Sequence, residues 1–117
     1  MKILVAFEDN FSVYREAIAE AILSLRPHME VRPAREEDLE EELANFTPDL
    51  VICGRSNTEY SRGRAAWIEL STTTDQLVEI CLGGQRRESQ APALVELLAI
   101  IDETAERLRE DPSLNGC

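Results

Sequence analysis

The sequence predicts one three-layer α/β domain on a mixed five-stranded sheet of order 2-1-3-4-5, with about three helices. Its first three strands are expected to be parallel and its last two an antiparallel hairpin. Three observations predict this. Two runs, Lys2–Phe7 and Pro48–Gly54, are apolar without alternation, the mark of strands covered on both faces. Between them, Ser12–Leu25 places apolar residues three and four apart, as a helix with one core-facing stripe does. Beyond Gly54 the apolar runs alternate with polar residues, so those strands are buried on one side only.

Lys2–Phe7 is the first strand. Asn10 or Ser12 caps the helix Ser12–Leu25, whose stripe is Tyr14, Ala17, Ile18, Ala21, Ile22 and Leu25, and Pro27 stops it. His28–Pro33 is a polar edge strand. Glu36–Phe46 is a helix with Leu39, Leu43, Ala44 and Phe46 for the core; its acidic first turn suits the helix dipole and its other charges read as a solvated face. After the strand Pro48–Gly54, Ser56–Gly63 reads as a loop. Trp67–Ser71 and Leu77–Leu82 are strands joined by Thr72–Gln76, too short for a crossover helix, so the pair is antiparallel. A final helix, Ala91–Arg109, begins at Pro92, which suits a first helical turn. It should pack beside the first helix, leaving the acidic helix on the other face. Residues 1–111 form the domain, and 112–117 are expected to be a flexible tail.

Composition narrows the function classes. A formal charge of −11 disfavours nucleic acid and anionic membrane as partners, since both need a cationic face, and leaves a basic partner as the better match. No apolar run approaches the roughly 20 residues that span a bilayer, and the N-terminal run is too short for a signal-peptide core. A cytoplasmic protein is therefore expected. Three cysteines give no pairing pattern: Cys53 and Cys81 lie in apolar strand runs as small core residues, and Cys117 ends a polar tail. With no CxxC and His28 as the one histidine, no metal site and no cofactor are expected. No Ser-His-Asp or Cys-His arrangement is present, so enzyme activity is not the expected role.

Residues 2–54 resemble a response-regulator receiver domain of the flavodoxin-like class. Lys2–Phe7 followed by Glu8-Asp9 is similar to that family's first strand and Mg²⁺-holding acidic pair. The run Val13-Tyr14-Arg15-Glu16-Ala17-Ile18 and the strand Pro48–Cys53 resemble its first helix and third strand. The resemblance implies a phosphoacceptor aspartate where this chain has Gly54, which has no side chain to phosphorylate. The family's lysine after its last strand has no match in Gly83-Gly84-Gln85-Arg86-Arg87, and two of its helices are missing. Ser71 or Thr72 stands where its switch hydroxyl lies. With these departures, the resemblance implies a receiver-like regulatory or protein-interaction domain that does not use phosphorylation.

Candidate sites come from topology. Ligands of open α/β sheets bind beyond the carboxyl ends of the parallel strands, where strand order switches. With order 2-1-3 that edge carries Glu8, Asp9, Asn10, Gly54, Arg55, Ser56 and Asn57. Gly83–Arg87 would join the same edge if the later strands are antiparallel, adding Arg86 and Arg87. Arg forks and free backbone N–H groups suit a small anion such as phosphate or carboxylate, which is the alternative function. Two solvated surface turns would contain the same residue types. No GxxxxGK[ST] or GxGxxG supports a nucleotide. A second candidate is the uncovered face of the last two strands, with Trp67, Glu69, Leu77 and Glu79 as the interface of a homodimer.

Overall fold

The computed structural model describes residues 1–60, 63–70, 77–90 and 94–117, without the side chain of Leu77. Ser71, Thr72, the Thr72–Gln76 connection and Pro92 lie outside the described residues. The described residues form a six-stranded sheet: β1 (Lys2–Phe7), β2 (Glu30–Arg35), β3 (Leu50–Cys53), β4 (Ala66–Glu69), β5 (Leu77–Leu82) and β6 (Gln85–Gln90). The order is β2-β1-β3-β4-β5-β6. Helices α1 (Ser12–Leu25), α2 (Leu39–Asn45) and α3 (Leu94–Glu110) cover it. Among the described residues no helix is long and apolar enough to cross a membrane.

The α/β class, the order of the first five strands and the antiparallel final pairing agree with expectation, and two features correct it. A sixth strand follows β5 across Gly83-Gly84, both at positive φ (58° and 87°), as a tight two-residue hairpin turn requires. Four strands are parallel, not three, because β4 runs alongside β3. Residues 54–65 make that crossover, with a 3₁₀ turn, Asn57–Glu59, among its described residues. About a dozen residues are enough to return the chain to the start of a parallel neighbour.

Alternate residues of β1, β3, β4 and β5 feed two cores. On one face Ile3, Val5, Phe7, Leu50, Ile52, Ile68, Val78 and Ile80 meet Ile18 and Ile22 of α1 and Leu97, Leu98 and Ile101 of α3. The predicted α1 stripe is narrower than expected, with Tyr14 and Leu25 43% and 49% exposed. The N-cap of α1 is Phe11, with no side-chain cap, because a 3₁₀ turn over Asp9–Phe11 leads into the helix. On the other face Leu4, Ala6, Val51, Cys53, Trp67 and Cys81 meet Leu39, Leu43 and Phe46.

That second face is also where the tail goes. Residues expected to fray instead fold back, and Cys117 is fully buried and disulfide-bonded to Cys81. Cys117 N–H donates to Arg64 O (3.0 Å), and Gly84 N–H points at Cys117 Sγ (3.3 Å). Gly116 lies against Gly84, where a Cβ would come within 2.9 Å of backbone. The two glycines permit this approach, which side chains would block.

Candidate functional site

The carboxyl ends of β1, β2 and β3 form an edge crowded with charge. Glu8 and Asp9 leave β1 through the 3₁₀ turn, closed by Phe11 N–H donating to Glu8 O (2.9 Å). Arg15, in the first turns of α1, folds back so that Nη1 donates to Phe7 O (3.0 Å) and lies 3.6 Å from Asp9. Arg35 ends β2 and is held by Glu37 (2.7 Å), Asp38 (3.1 Å) and, more distantly, Asp9 (3.9 Å). Glu36, expected on a solvated face, is buried beside Gly54 because Arg55 Nε donates to it. A buried carboxylate persists only with such a partner.

Gly54 is not required by the backbone. A Cβ there would meet Leu70 O at 3.7 Å and Glu36 at 3.8 Å, ordinary contacts at an ordinary φ. The position accepts a side chain without strain, and a carboxylate placed there would face that of Glu36.

Two adjoining clefts, of about 260 and 410 Å³, open on this edge. Glu8, Asp9, Glu36, Glu37, Glu40 and Glu59 line them against Arg35 and Arg55. Both arginines are matched by their own carboxylates, and each guanidinium is held more firmly charged by those partners. Glu8, Glu40 and Glu59 have no ion pair among the described residues. The edge is an acidic surface. Tyr60 walls the larger cleft, stacked on Trp67 at 5.7 Å between centroids.

The other predicted residues divide. Ser56 Oγ accepts from Thr58 N–H (3.3 Å) and caps the turn, and Asn10 is exposed on its own turn. Asn57 is buried; its Nδ2 donates to Cys117 O (3.4 Å) and its Oδ1 accepts from Arg86. Because β4 is parallel to β3, β5 runs back, and Gly83-Gly84 lies at the opposite edge, where Gly83 N–H donates to Ala65 O (2.8 Å). Arg86 and Arg87 alternate on β6 and so leave by opposite faces: Arg86 toward Asn57 and Glu79, Arg87 toward Glu103 of α3 (2.9 Å). They do not join Arg55 in one anion site.

The proposed interface is also rearranged. Trp67 is 2% exposed, covered by Tyr60, so it offers nothing to a partner. Leu77 begins β5, with its side chain outside the described set. Glu69 and Glu79 remain partly exposed and stand directly opposite each other. Burial first, and then the Glu79 charge, push the Glu69 carboxyl above its usual range. A raised carboxyl favours the fold at acid pH, and that contribution is lost as pH rises through the folded-state value. Glu69→Gln should therefore raise Tm at about pH 7 and leave it unchanged near pH 3; a lower Tm at neutral pH would contradict this.

Arg15 and Glu36 are the site residues that sequence reasoning missed. Their one sequence mark is position: Glu36 directly follows β2, on the same edge as Arg55, and Arg15 lies within reach of the β1 terminus. Cys53, at the end of β3, is buried, and that burial pushes its thiol up to about 12, which disfavours the thiolate. Comparison with protein-family models, with curated proteins and with solved structures finds no match.

Proposed function

We propose that the chain is a protein-interaction domain, similar in its first half to a receiver domain but independent of phosphorylation, that docks a basic segment of a partner protein on its acidic strand-end edge. One observation carries this reading: the arginines of the edge are matched internally while Glu8, Glu40 and Glu59 are left facing solvent around the clefts. Gly54 at the acceptor position removes the phosphorylated group, and the net charge of −11 steers cationic partners toward the domain. The anion-binding alternative has less support, because an anion would have to displace Glu36 from Arg55 or Glu37 from Arg35.

Calorimetric titration with a Lys/Arg-rich peptide tests the proposal. Binding should weaken with salt, and Glu40→Lys/Glu59→Lys should weaken it by about tenfold, given roughly 0.2–1 kcal/mol for each exposed pair and repulsion in its place. A peptide that does not bind, together with a phosphate-induced rise in Tm that Arg55→Ala abolishes, would replace this reading with the anion site.

A further inference from the structure

We propose that a second copy of this chain pairs with β6, antiparallel and about a two-fold axis through Arg87, joining two sheets into one. This goes beyond the acidic edge and does not depend on it, since β6 is the outermost strand on the far side of the sheet from β2.

The first reason is the edge itself. All six residues of β6 pair with β5 in unbroken register, and no strand follows on its other side among the described residues. An outer strand of this kind presents a row of unpaired N–H and C=O groups, which proteins usually blunt with proline, a bulge, a covering element or charges; the charges of β6 are of both signs, so a second copy can match them. The opposite edge strand, β2, has Pro33. Gln85–Gln90 has no proline and no bulge.

The second reason is a row of like charges that the monomer leaves unbalanced. Register places Glu69 opposite Glu79, and Glu79 opposite Glu88, on one face of three neighbouring strands. Like charges directly opposite destabilise a sheet. The nearest relief is Arg86, 3.7 Å from Glu79 and also hydrogen-bonded to Asn57. Among the described residues no strand of the same chain lies beyond Glu88 to supply a cation, because β6 is the edge.

Symmetry then selects the register. A two-fold axis normal to the sheet keeps each residue on its own face, so it pairs positions whose numbers sum to an even value. With Arg87 on the axis, Arg86 of each copy faces Glu88 of the other and Gln85 faces Ser89. Each row of carboxylates then ends on the partner's Arg86. The two Arg87 side chains meet at the axis, each already neutralised by Glu103 at 2.9 Å. With Glu88 on the axis, two carboxylates would face each other; with Arg86 there, two guanidiniums would, and Glu88 would face Gly84 and gain no cation.

Sedimentation of the intact chain at about 100 µM should give a dimer, twice 13.2 kDa. Glu88→Arg sets Arg against Arg twice and should raise the dissociation constant at least tenfold, and Arg86→Glu/Glu88→Arg should restore the dimer. Residues facing each other across an antiparallel pair lie about 4.5–5.5 Å apart at Cα, within disulfide range. Arg87→Cys should therefore cross-link to a covalent dimer under mild oxidation, while Gln85→Cys, which faces Ser89, should not. A monomer at that concentration overturns the proposal. So does a dimer that is indifferent to Glu88→Arg and does not cross-link through Arg87→Cys.

Discussion

Replacing Trp67 with alanine should destabilise the fold by about 3–5 kcal/mol, as deletion of a large buried aromatic does. Trp67 lies in the row between Val51 and Cys81, is 2% exposed, and stacks under Tyr60. Its indole N–H donates to Arg55 O at 2.8 Å. The substitution opens a cavity beside the disulfide and leaves that carbonyl only the weak Cys53 S–H donor at 3.3 Å, so the segment carrying Arg55 and Tyr60 loses support. Trp67→Phe keeps most of the ring and loses the hydrogen bond, for a cost of about 1–2 kcal/mol. Urea unfolding followed by circular dichroism reads both, as a lower midpoint with an unchanged slope. An alanine variant within about 1 kcal/mol of the parent would mean that Trp67 is not the keystone of this face.

Reducing the Cys81–Cys117 disulfide should produce the second large loss. The bond spans 36 positions of the chain, and closing a loop of that size contributes roughly 3–4 kcal/mol by restricting the unfolded state. In a domain of this length that corresponds to a fall in Tm of roughly 10–20 °C. The loss should also free the tail, in which Leu114 lies over Gly83 and Gly116 against Gly84. Scanning calorimetry with and without reductant makes the comparison, with Cys81→Ala/Cys117→Ala as a control whose Tm should ignore reductant. A parent protein whose Tm is also indifferent to reductant would show that the bond contributes nothing.

How much of this was legible depends on where apolar residues fall. Lys2–Phe7, Ser12–Leu25 and Leu77–Leu82 have the bounds read from the sequence, because their hydrophobic patterns leave no choice. Gln85–Gln90 contains no large apolar residue, so an outer strand with both faces wet left no periodic trace. Its one signal was Gly83-Gly84 directly after a strand, the mark of a two-residue hairpin, and reading those glycines as a ligand loop missed it. That reading put Arg86 and Arg87 together, whereas Arg86 reaches Asn57 and Glu79 on one face and Arg87 reaches Glu103 on the other. The Cys81–Cys117 pair was illegible for another reason: a cysteine in a strand and one in a polar tail give no spacing rule, and only the fold brings their Cα atoms to 5.9 Å.

The edge around Glu8, Asp9 and Gly54 was placed by topology alone; Glu8, Asp9 and Arg55 share a cleft there, whereas Asn57 turns to Cys117. Its electrostatic character was not readable, because counting arginines says nothing about which carboxylates meet them. Arg55 looked available for an anion until Glu36 proved to be buried against it. The proposed role rests on that internal matching.

Amide shift mapping on one ¹⁵N-labelled sample, titrated first with inorganic phosphate and then with a Lys/Arg-rich peptide, tests that role most directly. Phosphate should move no resonance of the edge, and the peptide should move those of Glu8, Glu37, Glu40, Arg55 and Tyr60. Phosphate shifting Arg55 and Glu36 while the peptide leaves the edge unchanged would contradict the proposed role.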